Sequence, residues 1–359
     1  MKYDNKVIIN SREISYDHPV YFIADIAANH DGDLSRAKEL IWQAKEAGAD
    51  AAKFQHFKAE HIVSDYGFRS LSSQMSHQAS WDKSVFETFK YFECNRDWNE
   101  ELALTAKEAG IDFMTTPYDY EAVKLLDRYI PAYKIGSGDI TWTDFIEFIA
   151  KNEKPVILAT GASNMVDVER AVDTVLNFNK QLVLLQCNTN YTGSLENFRH
   201  INLNVLKTYA IRYPQMVLGL SDHTPGHSTV LGAVALGARV IEKHFTDDNS
   251  RKGPDHPFSM NPKTWGEMVE RSRELEAALG TGIKRVEDNE QDTYIIQRRC
   301  IRISEDLVAG SVINEGDLEF LRPAPAGAFL PCDVKKVLGK VLSKSKSKGD
   351  ALYETDLVD

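Results

Sequence analysis

Between about residue 19 and residue 280, short apolar runs alternate with amphipathic helical patterns, eight runs in all. No other feature constrains the fold as much. Strand, crossover helix and strand in succession build a parallel sheet, and eight repeats in that length match a closed (β/α)8 barrel. The runs are Tyr21–Ile26, Ala51–Gln55, Ile111–Met114, Ala132–Ile135, Pro155–Leu158, Leu182–Gln186, Met216–Leu220 and Arg239–Glu242. The first helix starts at Asp33, an N-cap type, and runs to Glu46 with Gly48 just beyond it. Further helices fall at Glu93–Ala109, closed by Gly110, at 121–129, 143–151 and 165–178, within 198–212, and at 227–236 and Pro262–Leu279.

In such a barrel, ligands collect where the strands end. Here the ends carry Asn29, His30, Lys53, Gln55, Thr116, Lys134, Ser137, Thr160, Asn188, Tyr191, Ser221, His223, Lys243 and His244. Loop starts are polar in any barrel, which accounts for Asn, Ser and Thr. It accounts less well for Lys53, Lys134 and Lys243 inside or at the ends of apolar strands. A buried lysine is costly unless it is paired or bound to an anion, so a phosphate or carboxylate ligand is expected. Gly136-Ser137-Gly138 adds a permissive loop where backbone N–H groups can approach such an anion. His223 and His244 end two successive strands. They read either as satisfied core histidines or as a pair of neutral imidazoles holding a divalent metal.

The net charge of −11 argues against a general nucleic-acid surface. Cys94, Cys187, Cys300 and Cys332 form no CxxC pair, which fits a reducing cytoplasm better than a disulfide framework or a zinc cluster. The N-terminus lacks a signal-peptide core, and no apolar run approaches membrane-span length. Residues 1–18 read as a polar lead-in with a short strand at Val7–Asn10. The long stretch Phe57–Cys94, containing Ser76-His77-Gln78-Ala79-Ser80-Trp81, reads as a functional loop. Residues 281–297 read as a linker, so the barrel domain is 1–280 and a small module fills 298–359. That module shows strand-like pieces at Cys300–Ile303 and Leu318–Leu321 and a short helix at Pro331–Leu338. It is too small to be stable easily alone, so it is expected to dock on a barrel, its own or a partner's.

The chain resembles the sialic acid synthase family, the N-acetylneuraminate and related nonulosonic acid synthases. The resemblance is carried by Ala27-Ala28-Asn29-His30-Asp31-Gly32-Asp33-Leu34, Gly48–Gln55, Thr116-Pro117 and Lys134-Ile135-Gly136-Ser137-Gly138-Asp139. It continues through Ser221-Asp222-His223-Thr224, Glu242-Lys243-His244-Phe245-Thr246 and Gly253-Pro254-Asp255-His256. The C-terminal piece, with Arg322-Pro323 and Val337-Leu338-Gly339-Lys340, is similar to the family's antifreeze-like (SAF) domain.

The resemblance implies a TIM barrel followed by a SAF domain, and a metal-dependent condensation of phosphoenolpyruvate with an N-acylated hexose. A manganese ion, with magnesium or cobalt as alternatives, would sit on His223 and His244. Lys53, Thr116, Lys134, Ser137 and Ser221 would contact phosphoenolpyruvate. Gln55, Asp139, Tyr191 and Asp255 would face the sugar or the reacting centre. Arg322 would reach the sugar's N-acyl group across a domain-swapped homodimer. Asp25 and Glu242 are the carboxylates considered for proton handling.

Three positions depart from the family pattern. Asp25 and Asp139 stand where glutamate is usual, and Cys187-Asn188-Thr189-Asn190-Tyr191-Thr192 lacks a proline, which leaves the roles of Asn188 and Thr189 open. Competing readings are a pyruvate-dependent sugar-acid lyase and a non-catalytic homologue that only binds sugar or phosphoenolpyruvate. N-acetylmannosamine, its 6-phosphate and a diacetamido-trideoxyhexose all suit the sequence.

Overall fold

β1, Tyr21–Asp25, pairs in parallel with both β2, Ala51–His56, and β8, Val240–His244, and this last pairing closes a barrel. Between them run β3 (Asp112–Pro117), β4 (Tyr133–Ile135), β5 (Val156–Ala159), β6 (Leu182–Cys187) and β7 (Val217–Asp222), each parallel to its neighbours. The structure is a computed structural model that describes residues 3–71, 78 and 81–358.

Alternation along each strand sorts the side chains. On β2, Ala52 and Phe54 join the outer core under the helices, and Ala51 joins the inner one. Lys53 and Gln55 continue the inward series toward the rim. On β1 the inward series is Tyr21, Ile23, Asp25, and on β8 it is Val240, Glu242, His244, because Phe22, Ala24 and Ile241 belong to the outer core. The lower barrel is filled by apolar side chains such as Ile23, Met114, Ile157 and Leu185. Val7, Ile9 and Ile14 join this inner core from an antiparallel hairpin, Val7–Ile9 with Arg12–Ile14, and plug the barrel's floor. Gly219 belongs to this interior, and only Gly fits there: an added Cβ would lie 2.2 Å from the Val240 carbonyl oxygen.

The Asp33 carboxylate caps helix Leu34–Glu46 by accepting from the Ser35 and Arg36 N–H groups, and Ala37, Leu40, Ile41 and Ala44 face inward. Gly110 ends helix Asn99–Ala109 at φ 69°, the left-handed conformation that favours glycine. The stretch 57–94 is not structureless. It contains helices Ala59–Ile62, Asp65–Ser70 and Val85–Tyr91. The expected loop residues Ser76, His77, Ala79 and Ser80 lie outside the described residues. The sixth crossover starts as a 3-10 turn, Leu195–His200, and becomes α-helical only at Val205–Arg212.

The chain divides into two compact units, residues 1–280 and 281–359. The second begins with a 3-10 turn, Asp288–Glu290, and a helix, Gln291–Ile296. Two antiparallel ribbons follow, Cys300–Ile303 with Leu318–Leu321 and Val341–Leu342 with Leu357–Val358. They enclose a small core of Ile301, Ile303, Ile313, Val337, Leu342 and Leu352. Among the described residues, no helix is long and apolar enough to cross a membrane.

Candidate active site

The inward series converge on a cavity of about 240 Å³ at the strands' C-terminal rim. Of the residues singled out from the sequence, Asp25, Lys53, Gln55, Thr116, Lys134, Ser137, Tyr191, Ser221, His223, Glu242, His244 and Asp255 all line it. Strand parity brings them together from seven of the eight strands or the loops that follow them.

Two buried ion pairs organise its floor. The Lys53 ammonium lies 2.7 Å from Asp25 Oδ2 and 3.3 Å from Thr116 Oγ1. Gln55 Nε2 donates to the same Asp25 oxygen at 3.0 Å, and the Ala27 N–H donates to the other. Lys134 Nζ lies 3.3 Å from Glu242 Oε1, which also accepts the Ser221 hydroxyl at 3.0 Å. Glu242 Oε2 has no hydrogen-bond partner among the described residues. The two carboxylates are driven apart. Burial raises the Asp25 carboxyl above the ordinary range, and the nearby Glu242 charge adds to this against the pull of Lys53. Burial also acts on Glu242, but Lys134 and Lys53 overcome it and hold that carboxyl down to about 2.

The two imidazoles are 5.3 Å apart, centre to centre. Burial pushes both down to about 4, so both are neutral near pH 7. His223 Nδ1 donates to the Asn188 carbonyl at 2.8 Å, which leaves the Nε2 lone pair available. Asn188 thus orients the ring through its backbone. His244 Nδ1 is buried without a hydrogen-bond partner, 3.8 Å from Asp255 Oδ2. A free lone pair on one ring and an unpartnered buried nitrogen on the other suit a bound cation. Among the described residues, no three His, Cys, Asp or Glu side chains form a ligand set by themselves. Oxygen donors from water or substrate would complete the coordination of a cation held on the two imidazoles.

The structure changes the reading of Lys243. It sits on β8 between the inward Glu242 and His244, so it points out of the barrel. It is paired there with the buried Asp222 and donates to the Thr224 carbonyl at 2.6 Å. Asp222 in turn accepts the Thr224 and Thr229 hydroxyls. This lysine is satisfied by its own fold and does not face the cavity. Thr160 is likewise satisfied internally, donating to the Leu185 carbonyl. Asp139 follows the cavity-lining Gly138 but does not line the cavity. Burial raises its carboxyl to about 6. Thr189 packs under Gly161, where an added Cβ would come within 2.5 Å of its methyl. Arg322 belongs to the second unit and is exposed just after Leu318–Leu321.

Sequence reasoning missed the cavity's apolar side. Phe57, Trp81, Phe89, Phe92 and Tyr118 line it, with the Phe57 and Phe89 rings 5.2 Å apart. Phe258 packs 4.9 Å from the His244 ring, and Tyr191 packs 4.3 Å from His223. The aromatic density of 57–94 was the available signal.

The model of the NeuB family matches residues 40–284, and that of the SAF domain matches residues 298–358. The chain is 37% identical to the N,N'-diacetyllegionaminic acid synthase of Legionella pneumophila over 92% of this chain and 93% of that protein. It is 32% identical to human N-acetylneuraminate-9-phosphate synthase, over 97% and 95% of the two chains. The crystal structure of the N-acetylneuraminic acid (sialic acid) synthetase from Leptospira borgpetersenii, in complex with citrate, superposes with a TM-score of 0.70. It is 28% identical, covering 80% of this chain and 94% of that one.

Proposed function

We propose, from the premise that this chain belongs to the NeuB family, that it condenses phosphoenolpyruvate with an N-acylated hexose to give a nine-carbon sugar acid and phosphate. One observation carries the reading: two lysines, each paired with a carboxylate, and two neutral histidines share one small cavity. Lys53 and Lys134, with Thr116, Ser137 and Ser221, bind the phosphate and carboxylate of phosphoenolpyruvate. Both lysines are buried, and fixed positive charges there stabilise the anion without solvent reorganisation. Gln55, Tyr191 and Asp255 receive the hexose. Arg322 of a second copy reaches its N-acyl group in a homodimer. The aromatic wall of Phe57, Trp81, Phe89 and Phe92 gives acetamido methyls and a deoxygenated carbon an apolar contact. It favours the diacetamido-trideoxyhexose among the three candidate sugars.

His223 and His244 would hold a divalent cation, Mn²⁺ with Mg²⁺ or Co²⁺ as alternatives. When bound, such an ion supplies Lewis-acid polarisation of a carbonyl oxygen. In the reaction, the C3 carbon of phosphoenolpyruvate bonds to the open-chain aldehyde carbon, which takes up a proton on oxygen. Water adds to C2, and phosphate leaves with its bridging oxygen by C–O cleavage. The carboxylates divide the proton work. Glu242, held ionised, keeps its negative charge near Lys134. Asp25, with its raised proton affinity, is the group that takes and returns a proton. Its position gives it access, since its Oδ2 lies 3.6 Å from His244 Nε2.

Running the reaction in ¹⁸O-water tests this chemistry. The label is expected in the sugar acid at C2 and not in the released phosphate. Label in the phosphate would contradict it. A lyase using a Schiff base on Lys53 or Lys134 would instead be trapped covalently on pyruvate by borohydride.

A further inference from the structure

We infer that Asp31 and His256, neither of which lines the cavity, are positioning residues that hold the hexose side of the site in register. The inference rests on the reading of the preceding section, in which Asp255 meets the sugar. His256 is fully buried. Its Nε2 bonds Asp31 Oδ1 at 2.9 Å, and its Nδ1 bonds the Thr246 hydroxyl at 2.7 Å. By residue type this is a Thr-His-Asp array, the arrangement of a nucleophile, base and orienting acid. Its burial argues otherwise. Thr246 and His256 are both 0% exposed, so no acyl substrate can reach the hydroxyl.

The array instead ties two rim loops together. The Asp31 backbone sits at φ 54°, in the left-handed region that Asp tolerates better than most residues. From there its Oδ2 accepts Arg251 Nη2 at 2.9 Å and lies 3.1 Å from Arg36 Nε. Arg36 reaches Asp247 in a bidentate pair and donates to the Asn29 carbonyl. The turn after β1 and the loop after β8 are thus joined at both ends of the 247–256 segment. That segment includes Asp255, whose Oδ2 accepts the Ala28 N–H at 3.1 Å. Just beyond it comes Phe258, against His244.

Gly253 fits the same picture. A Cβ added there would lie 2.7 Å from His256 Cδ2. The loop therefore lies flat on the imidazole, and a single methyl would lift it. None of these residues belongs to β2, β3, β4 or β7, which carry Lys53, Thr116, Lys134 and Ser221. The strap should therefore govern the hexose and leave phosphoenolpyruvate alone.

The test uses the full-length Asp31→Asn and Gly253→Ala proteins, one weakening the strap electrostatically and the other sterically. The expected result is a KM for the hexose raised roughly ten- to hundredfold, as misplacement by about 1 Å produces. The Kd for phosphoenolpyruvate alone, by calorimetry, stays within about twofold. Asp31→Glu, which keeps the charge, recovers part of the hexose KM. An unchanged hexose KM in both variants overturns the inference. So does a loss of phosphoenolpyruvate affinity parallel to the loss of hexose affinity, since that is general loosening. Wild-type protein inactive with all three candidate hexoses would sink the preceding reading and this inference with it. Active wild type with unaffected variants sinks this inference alone.

Discussion

Lys134 and Lys243 are both buried and both paired with a buried carboxylate, yet they should answer substitution differently. Lys134→Met strands Glu242, and Lys243→Met strands Asp222. Each is expected to lose about 3–5 kcal/mol in urea unfolding, because the remaining charge is left unpaired in the interior. Their ligand affinities should separate. Lys134→Met loses most phosphoenolpyruvate binding, whereas folded Lys243→Met binds it like wild type. Equal loss of affinity in the two would return Lys243 to the cavity and contradict its outward parity.

Asp25 gives a pH prediction at the same scale. Its carboxyl is raised above the ordinary 3.8 by burial, with Glu242 adding to the effect. In its proposed role as proton acceptor it would work when ionised, so activity should fall as pH drops through that raised pKa. Asp25→Asn is expected to lower kcat by about 10²–10⁴-fold and to abolish that acid limb. An unmoved limb would assign it to another group.

At the scale of elements, strand parity explains both what could be read in the sequence and what could not. Lys53 and Gln55 alternate on an apolar run, so their shared face was legible in the sequence. So were the eight strands, because hydrophobic alternation repeats locally along the chain. Parity applied to Glu242-Lys243-His244 would also have turned Lys243 outward, since its two neighbours face inward. The aromatic wall was less legible. Phe57, Phe89 and Tyr118 come from different segments, Phe89 from the helix Val85–Tyr91, and single aromatics so scattered carry no shared period. The Asp31–His256 bond spans 225 residues in sequence. The motifs that contain its ends gave no hint that they meet, because only barrel closure brings the first and eighth rim loops side by side.

For the molecule as a whole, buried neutral histidines set the acid limit of stability. Burial lowers His56 from 6.5 to about 3, and it bonds Thr115 and Asn99. Burial likewise lowers His30 to about 4. Below pH 6.5 the unfolded chain takes up protons that the folded chain refuses. Stability is therefore fully present above that pH and falls as pH drops toward 3–4. Each histidine contributes about 1.4 kcal/mol per pH unit in that window. His56→Gln should flatten the pH dependence of the urea midpoint relative to wild type. An identical slope would show that His56 is protonated in the folded state.

The central claim is that this rim joins phosphoenolpyruvate to a hexose. Phosphate release from phosphoenolpyruvate tests it most directly. It would be measured with Mn²⁺ and each of N-acetylmannosamine, its 6-phosphate and a diacetamido-trideoxyhexose, beside a chelated control. Release that requires both the metal and one of the sugars, and strongest with the diacetamido-trideoxyhexose, is the expected result. Phosphoenolpyruvate binding without release in the presence of any of the three would contradict the synthase and leave a protein that only binds its ligands.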